Sequence, residues 1–400
     1  MSFRSAAKWC LIGAALTMGV VLILREVDAR RSSAHPVGES RLEGPREVLE
    51  GGETPAYFSY VGTVRGAPKV AAKCGGKILW TYSVVRSGAN FMRLHFTDIR
   101  DIAKKQYCVV VRDGQYGLKL TYEGKEFSRG HDFWGNAVKG DRVTVQVLAD
   151  SLPLQLHFTV KEVAFQSSAQ AKVESIFQDE PAWQDIQVLP ARSPAILKNA
   201  RAVAKITFID EDGTESCTGF MISRDHFVTN DHCISSEAEC SSAEILFGYE
   251  KQMDGSAEWQ ESFHCVKVVS HDQKLDASIL LLDGAAGRSD KWGSVSLSNR
   301  APLKGESLYI IEHPNGEPKV LIEKGCAVST VNAPGEFGGN SDFGHTCDTE
   351  VGSSGSPVFD STHGVIGLHH LGFIREDSRW KRENRAVSMD LLSRGLLGGR

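Results

Sequence analysis

Two long stretches of this 400-residue chain are written in short alternating runs of apolar and polar residues. From Tyr57 to about Phe165 they include Phe91-Met92-Arg93-Leu94-His95-Phe96, Tyr107 to Val111, Gly117 to Tyr122, Val143 to Leu148 and Leu154 to Val160. Arg112-Asp113-Gly114 and Lys139-Gly140-Asp141 punctuate them. In a strand, successive side chains point to opposite faces, so short alternating runs separated by turn residues predict a β-sandwich. A second series of strands, again without long helical periods, runs from about Ala200 to Asp390. The expected fold class is therefore all-β, with an N-terminal β-sandwich ahead of a second β domain. No internal repeat is visible. At roughly 150 residues per domain, the length agrees with two or three units.

The remaining segments divide as follows. Residues 1–31 hold an uncharged stretch, Trp9 to Leu24, preceded by Arg4 and Lys8 and followed by Arg25, Arg30 and Arg31. It is short for a spanning helix and long for the apolar part of a cleaved signal, so signal anchor and signal peptide both stay open. Residues 32–54 lack apolar periodicity and read as a flexible stalk, 55–165 as the sandwich, 166–195 as a linker with Pro181, Pro190 and Pro194, and 196–400 as the second domain. The formal net charge of −5 gives no reason to expect nucleic acid as a partner. The run Arg379 to Arg385 contains Glu383 and reads as a solvated turn. Behind Cys10 lie eight further cysteines, an even number that suggests disulfides formed outside the cytoplasm. There is no C-x-x-C, no H-E-x-x-H and no phosphate loop, so neither metal nor cofactor is expected.

The second domain carries the chemistry. In Cys217 to Ile234, two apolar strands flank a turn at Ser223-Arg224-Asp225 and end at His232. Asp276 stands at the mouth of the apolar strand Ala277 to Leu282. Gly352-Ser353-Ser354-Gly355-Ser356-Pro357 is a loop of small residues that presents a serine before the next strand. A serine hydroxyl is a weak nucleophile until a base within hydrogen-bond reach takes its proton, and the base needs a carboxylate to orient it. Flanking glycines let backbone N–H groups converge on an oxyanion. Each piece alone is more often an ordinary turn or a structural histidine. All three in the order His, Asp, Ser reverse that reading.

Region 200–390 resembles the trypsin-like serine peptidases, in particular the bacterial branch with the lysyl and glutamyl endopeptidases. Thr229-Asn230-Asp231-His232-Cys233, Asp276 to Leu280 and Gly352 to Pro357 resemble that family's three motifs. The resemblance implies a double six-stranded β-barrel with the site between the barrels. It makes His232 the general base, Asp276 its orienting acid and Ser354 the nucleophile, with the N–H groups of Gly352 and Ser354 as oxyanion hole. Asp272 competes for the acid's role, but the apolar strand directly behind Asp276 favours Asp276. The resemblance also implies disulfides Cys217–Cys233 and Cys326–Cys347, which leaves Cys240 with Cys265 and Cys74 with Cys108. Ser353 stands where animal members carry the Asp that binds a freed N-terminal amine. Activation by a new N-terminus is therefore not expected, and the peptidase can keep its upstream domain.

For specificity, Asp348 lies six residues before Ser354, where an acid at the base of the primary pocket would favour Arg or Lys; it also suits a purely loop-fixing role. Gly367 to Gly372 resembles the pocket wall, and His369 and His370 within it raise the alternative of a glutamyl preference, or of histidines simply bonded inside the barrel. The implied function is a serine endopeptidase acting on protein or peptide substrates, with membrane contact through the N-terminal segment and an exported location. The rival is a catalytically inactive, peptidase-like binding protein of the cell surface. A ligand of the sandwich is not identified by the sequence; Trp134 in Asp132-Phe133-Trp134 reads as a core residue, with a binding aromatic as the alternative.

Overall fold

The computed structural model describes residues 46–48, 76–101, 106–114, 118–127, 132–150, 156–167, 175–177, 181–188, 193–210, 214–283, 291–336, 338–372 and 383–396. All of them belong to one compact unit, Gly38–Arg400. The apolar stretch Trp9 to Leu24 and Cys74 lie outside the described residues. Among those described, no helix is long and apolar enough to cross a membrane.

The N-terminal domain is a β-sandwich. One sheet has four antiparallel strands in the order Lys77–Val85, Arg142–Ala149, Tyr107–Arg112, Leu118–Glu123. The other runs Arg46–Val48, Leu156–Ser167, Ala89–Asp101, Phe133–Trp134, with Val138–Lys139 also paired to Ala89–Asp101. Alternation sends Val143, Val145 and Val147 of the first sheet inward against Leu94, Phe96 and Phe158 of the second, in one buried cluster. Phe96 stacks on Phe133 at 5.2 Å and meets Phe127 edge-on at 5.4 Å. Aromatic pairs in these geometries add to what their buried area contributes. Trp134 is half-buried and lies flat on His95 at 4.6 Å.

The second domain begins with a short helix, Pro194–Ala202, capped by the Ser193 hydroxyl and started by proline at its first turn. Six strands then close a barrel: Val203–Ile209, Thr214–Met221, His226–Thr229, Ala277–Leu282, Glu261–Asp272 and Glu244–Phe247. Gly219 is required where two strands cross closely, since a Cβ there would sit 2.2 Å from the Phe227 ring and 2.6 Å from the Val228 carbonyl. The later strands form a nine-stranded sheet along the path Gln184–Asp185, Val320–Ile322, Tyr309–Glu312, Pro357–Phe359, Gly364–Leu371, Asn384–Ser388, Asp342–His345, Val328–Ala333, with Ser296–Leu297 added in parallel to Gly364–Leu371. Among the described residues this path is not closed into a ring, and its first strand comes from the segment read as linker. Glu383 and Arg385 are buried and paired at 2.8 Å, so this end of the basic run is core and not a solvated turn.

Sandwich and barrel are joined through buried polar contacts. Arg93 points away from the sandwich core and is fully buried, giving Nε to the Gly135 carbonyl at 2.9 Å and Nη1 to the Ser242 carbonyl of the barrel at 2.5 Å. Glu244 of the barrel accepts Asn136 Nδ2 at 2.7 Å and the Ala137 N–H at 2.6 Å. Three disulfides, Cys217–Cys233, Cys240–Cys265 and Cys326–Cys347, bind the second domain. Cys108 of the sandwich is also disulfide-bonded.

Candidate active site

His232 sits on the turn that follows strand His226–Thr229, and Cys217–Cys233 ties that turn to the neighbouring strand. Asp276 immediately precedes Ala277–Leu282, the strand paired with His226–Thr229, so strand pairing alone brings the two residues together. Asp276 has φ +43°, an uncommon conformation for a residue with a side chain and one that concentrates at functional positions. Its Oδ1 accepts the His232 backbone N–H at 2.9 Å and its Oδ2 bonds His232 Nδ1 at 2.7 Å. Asn230 Nδ2 donates to the Asp276 carbonyl at 2.8 Å. Burial alone would raise the carboxyl pKa, but the His232 charge and hydrogen bonds from His232 and His370 outweigh it and hold Asp276 far below the usual carboxylate range. Asp272 instead accepts the N–H groups of Lys274 and Leu275, at 2.9 and 3.1 Å, and caps its own turn.

The serine loop is held against the first barrel by backbone contacts. Thr218 gives its N–H to the Ser354 carbonyl at 2.8 Å and its hydroxyl to the Gly352 carbonyl at 2.8 Å. The Thr229 hydroxyl, three residues before His232, donates to the Thr218 carbonyl at 2.9 Å. Gly352 and Gly355 both have left-handed φ, +92° and +85°. A Cβ on Gly352 would lie 2.8 Å from the Gly316 nitrogen, and one on Gly355 would lie 2.0 Å from the Thr218 carbonyl. Turns from Ser353 N–H to the Glu350 carbonyl and from Ser356 N–H to the Ser353 carbonyl, at 2.9 and 3.0 Å, set the curvature around Ser354. Ser354 itself is buried.

Residues 217–368 match the family described as trypsin-like peptidase domain. Over this stretch the chain is similar to that family. The chain is 29% identical over 185 residues to "Secreted RxLR effector protein 73" of Plasmopara viticola, covering 43% of this chain and 45% of that protein. It is 29% identical over 189 residues to "Uncharacterized protein y4fB" of Sinorhizobium fredii, covering 44% of this chain and 28% of that one. The chain thus spans less than half the length of either relative. Among solved structures it is similar to the active form of the Rv3671c protease from M. tuberculosis, at 18% identity and TM-score 0.39 over 55% of this chain and 91% of the other.

Asp348, within 217–368, and His369 and His370, directly after it, are the residues expected to line a specificity pocket. Asp348 is buried, and its two oxygens accept the N–H groups of Phe177, at 2.8 Å, and Ala182, at 3.2 Å, both from the interdomain linker. Ser175 bridges to Thr349 beside it, and Asn384 Nδ2 donates to the Ser175 and Cys347 carbonyls at 3.3 and 2.8 Å. These contacts tie Asp348 to the linker backbone. His369 is buried against His345, Nδ1 to Nε2 at 3.1 Å. Burial first, then the charges of His345 and His370, push its pKa well below the usual value. His370 faces the other way and touches Asp276, Oδ2 to Nδ1 at 3.1 Å.

Sequence reasoning missed Asp342 and Glu336. Asp342 Oδ2 lies 2.9 Å from His370 Nε2, and its Oδ1 accepts the Ser341 hydroxyl at 2.7 Å. Glu336 brings a carboxylate oxygen within 4.8 Å of ligand-type atoms of Asp276 and His370. That trio has the spacing of a cation site, but its donor set does not fit one. Both His370 nitrogens face carboxylates and so bear protons, which leaves no lone pair for a metal. No motif in the sequence marks either acid, since both lie on a strand or loop far along the chain from Asp276.

Proposed function

We propose that this protein is an exported serine endopeptidase that cleaves peptide bonds through an acyl-enzyme. His232 is the base, Asp276 orients it, Ser354 is the nucleophile, and the N–H groups of Gly352 and Ser354 receive the oxyanion. The observation that carries this reading is the double contact of the Asp276 carboxylate with the backbone N–H and Nδ1 of His232. It supports the tautomer in which Nδ1 keeps its proton and Nε2 accepts one, as a base for serine must. The match to the trypsin-like family over 217–368 supports assigning the glycine-flanked serine to the same reaction. Labelling of the full chain with a fluorophosphonate tests it: the wild type should react and Ser354→Ala should not. A wild type that stays unlabelled after disulfide formation would favour the inactive binding protein.

A preference for Arg or Lys would need a carboxylate open to the cleft, and Asp348 is tied to the linker. Cleavage of a peptide library decides the preference. Export rests on the disulfides, which need an oxidising compartment, and on the apolar stretch Trp9 to Leu24 as the signal, cleaved or retained as an anchor. A C-terminal alkaline phosphatase fusion should be active, and the same fusion lacking residues 1–31 should not.

A further inference from the structure

His370 stands on strand Gly364–Leu371 with a carboxylate on each side. Its Nδ1 is 3.1 Å from Asp276 Oδ2 and its Nε2 is 2.9 Å from Asp342 Oδ2. The same Asp276 oxygen receives His232 Nδ1 at 2.7 Å. An ionised carboxylate only accepts hydrogen bonds, so an imidazole bonded to two of them must donate from both nitrogens and carry a positive charge. The ring is buried, as are both carboxylates, so water screens none of these charges. We propose that His370 is a positioning residue for the catalytic pair: an imidazolium, held by Asp342, that fixes Asp276 and offsets its negative charge. The proposal rests on the peptidase reading above for its catalytic consequence, but the state of His370 does not depend on it.

The surroundings agree. Burial works against a charged His370, yet the charge of Asp342 and the hydrogen bonds to both carboxylates overcome it and raise the pKa to about 10. On its own strand, His369 is neutral. From strand Asp342–His345 comes His345, lowered to about 3 by burial, then by the charges of His370 and Arg385. Arg385 is paired with Glu383. Glu336 approaches from the loop before Asp342, and beyond Asp276 lie His232 and Asp231, the latter bonded to His271 at 2.7 Å. The charge count has a consequence. The imidazolium offsets one unit of the negative charge that Asp276, Asp342 and Glu336 place behind His232. Removing the imidazolium would leave one more unit of negative charge beside His232.

The test uses the full chain with its disulfides formed. In the ¹⁵N-histidine spectrum, the resonances missing from His370→Asn identify His370, and both of its nitrogens should remain protonated from pH 6 to above pH 8. In Asp342→Asn the ring should lose its second proton at a lower pH than in the wild type. His370→Asn keeps a donor toward Asp276 without the charge. Its kcat should fall about tenfold with KM little changed, and the acid limb of its pH profile should move up by about one unit. His370→Ala should show the same shift of the limb and a larger fall in kcat. A singly protonated His370 at pH 7, or variant profiles that superimpose on the wild type, would overturn the proposal. A wild type that the fluorophosphonate does not label counts against the peptidase reading and leaves the nitrogen spectrum to decide the state of His370.

Discussion

On one side of the candidate site, groups are held by charge; on the other, by the backbone. Around His232, Asp276 and His370 the contacts run between ionisable side chains, with Asp276 and His370 buried. Around Ser354, the loop is pinned by Thr218, by tight turns, and by linker N–H groups donated to Asp348. Even the acid beneath this loop fits the contrast. Burial, and then the neighbouring charges of Asp348 and Glu350, raise Glu312 well above the usual carboxyl range, with the Ser353 hydroxyl working against them. That side therefore holds an acid that burial pushes toward its uncharged form, where the other holds a salt-bridged one. The two sides divide the work: paired charges fix the side chains around Asp276, and backbone geometry fixes the shape of the loop around Ser354.

Substitutions on the two sides should therefore fail in different ways. Ser354→Ala should lower turnover by about 10³-fold or more with the circular dichroism unchanged; retention of a few per cent of activity would remove the serine from its role. Asp276→Asn should cost on the order of 10³–10⁴-fold, because an amide can hold His232 in the wrong tautomer. A loss confined to KM would show that Asp276 binds and does not orient. Asp348→Asn, on the backbone side, can accept at only one oxygen. It should destabilise the fold by about 1–3 kcal/mol in urea melts and lower kcat, while the acid limb stays where it is. A displaced limb would show that charge matters on this side too.

The smallest effect per step is in stability against pH. His370 has a folded pKa of about 10, above that of an unfolded histidine. Its contribution is fully present below about pH 6.5 and is lost as pH rises toward 10, with a slope of at most about 1.4 kcal/mol per unit. His345 and His369 have folded values below the unfolded one, so they destabilise the fold as pH falls below about 6.5. Melting of the full chain from pH 5 to 10 should show both slopes, and His370→Asn should flatten the alkaline one most.

Much of this was legible in the sequence, for a physical reason. Strand alternation and turn residues are local, and so are the turn ending in His232, the acid before Ala277 and the glycines around Ser354. Each writes its geometry within a few neighbouring residues. What escaped was set by pairings between distant segments. Gly367 to Gly372 is readable as a strand, but alternation cannot say which of His369 and His370 turns toward Asp276. Asp342 becomes relevant only because Asp342–His345 lies beside Asn384–Ser388, which pairs in turn with Gly364–Leu371. Asp348 looked like a pocket acid because nothing in its neighbourhood reveals that residues 177 and 182, over 160 positions earlier, claim its oxygens. Arg93 reads correctly as outward from the sandwich, yet outward there is the barrel.

That last contact has a mechanical meaning. A guanidinium sunk between the two domains and capped by carbonyls from both acts as a dowel. With Glu244 gripping the Asn136 side chain and the Ala137 N–H alongside, the sandwich is pegged to the barrel at two buried points and not hung from one.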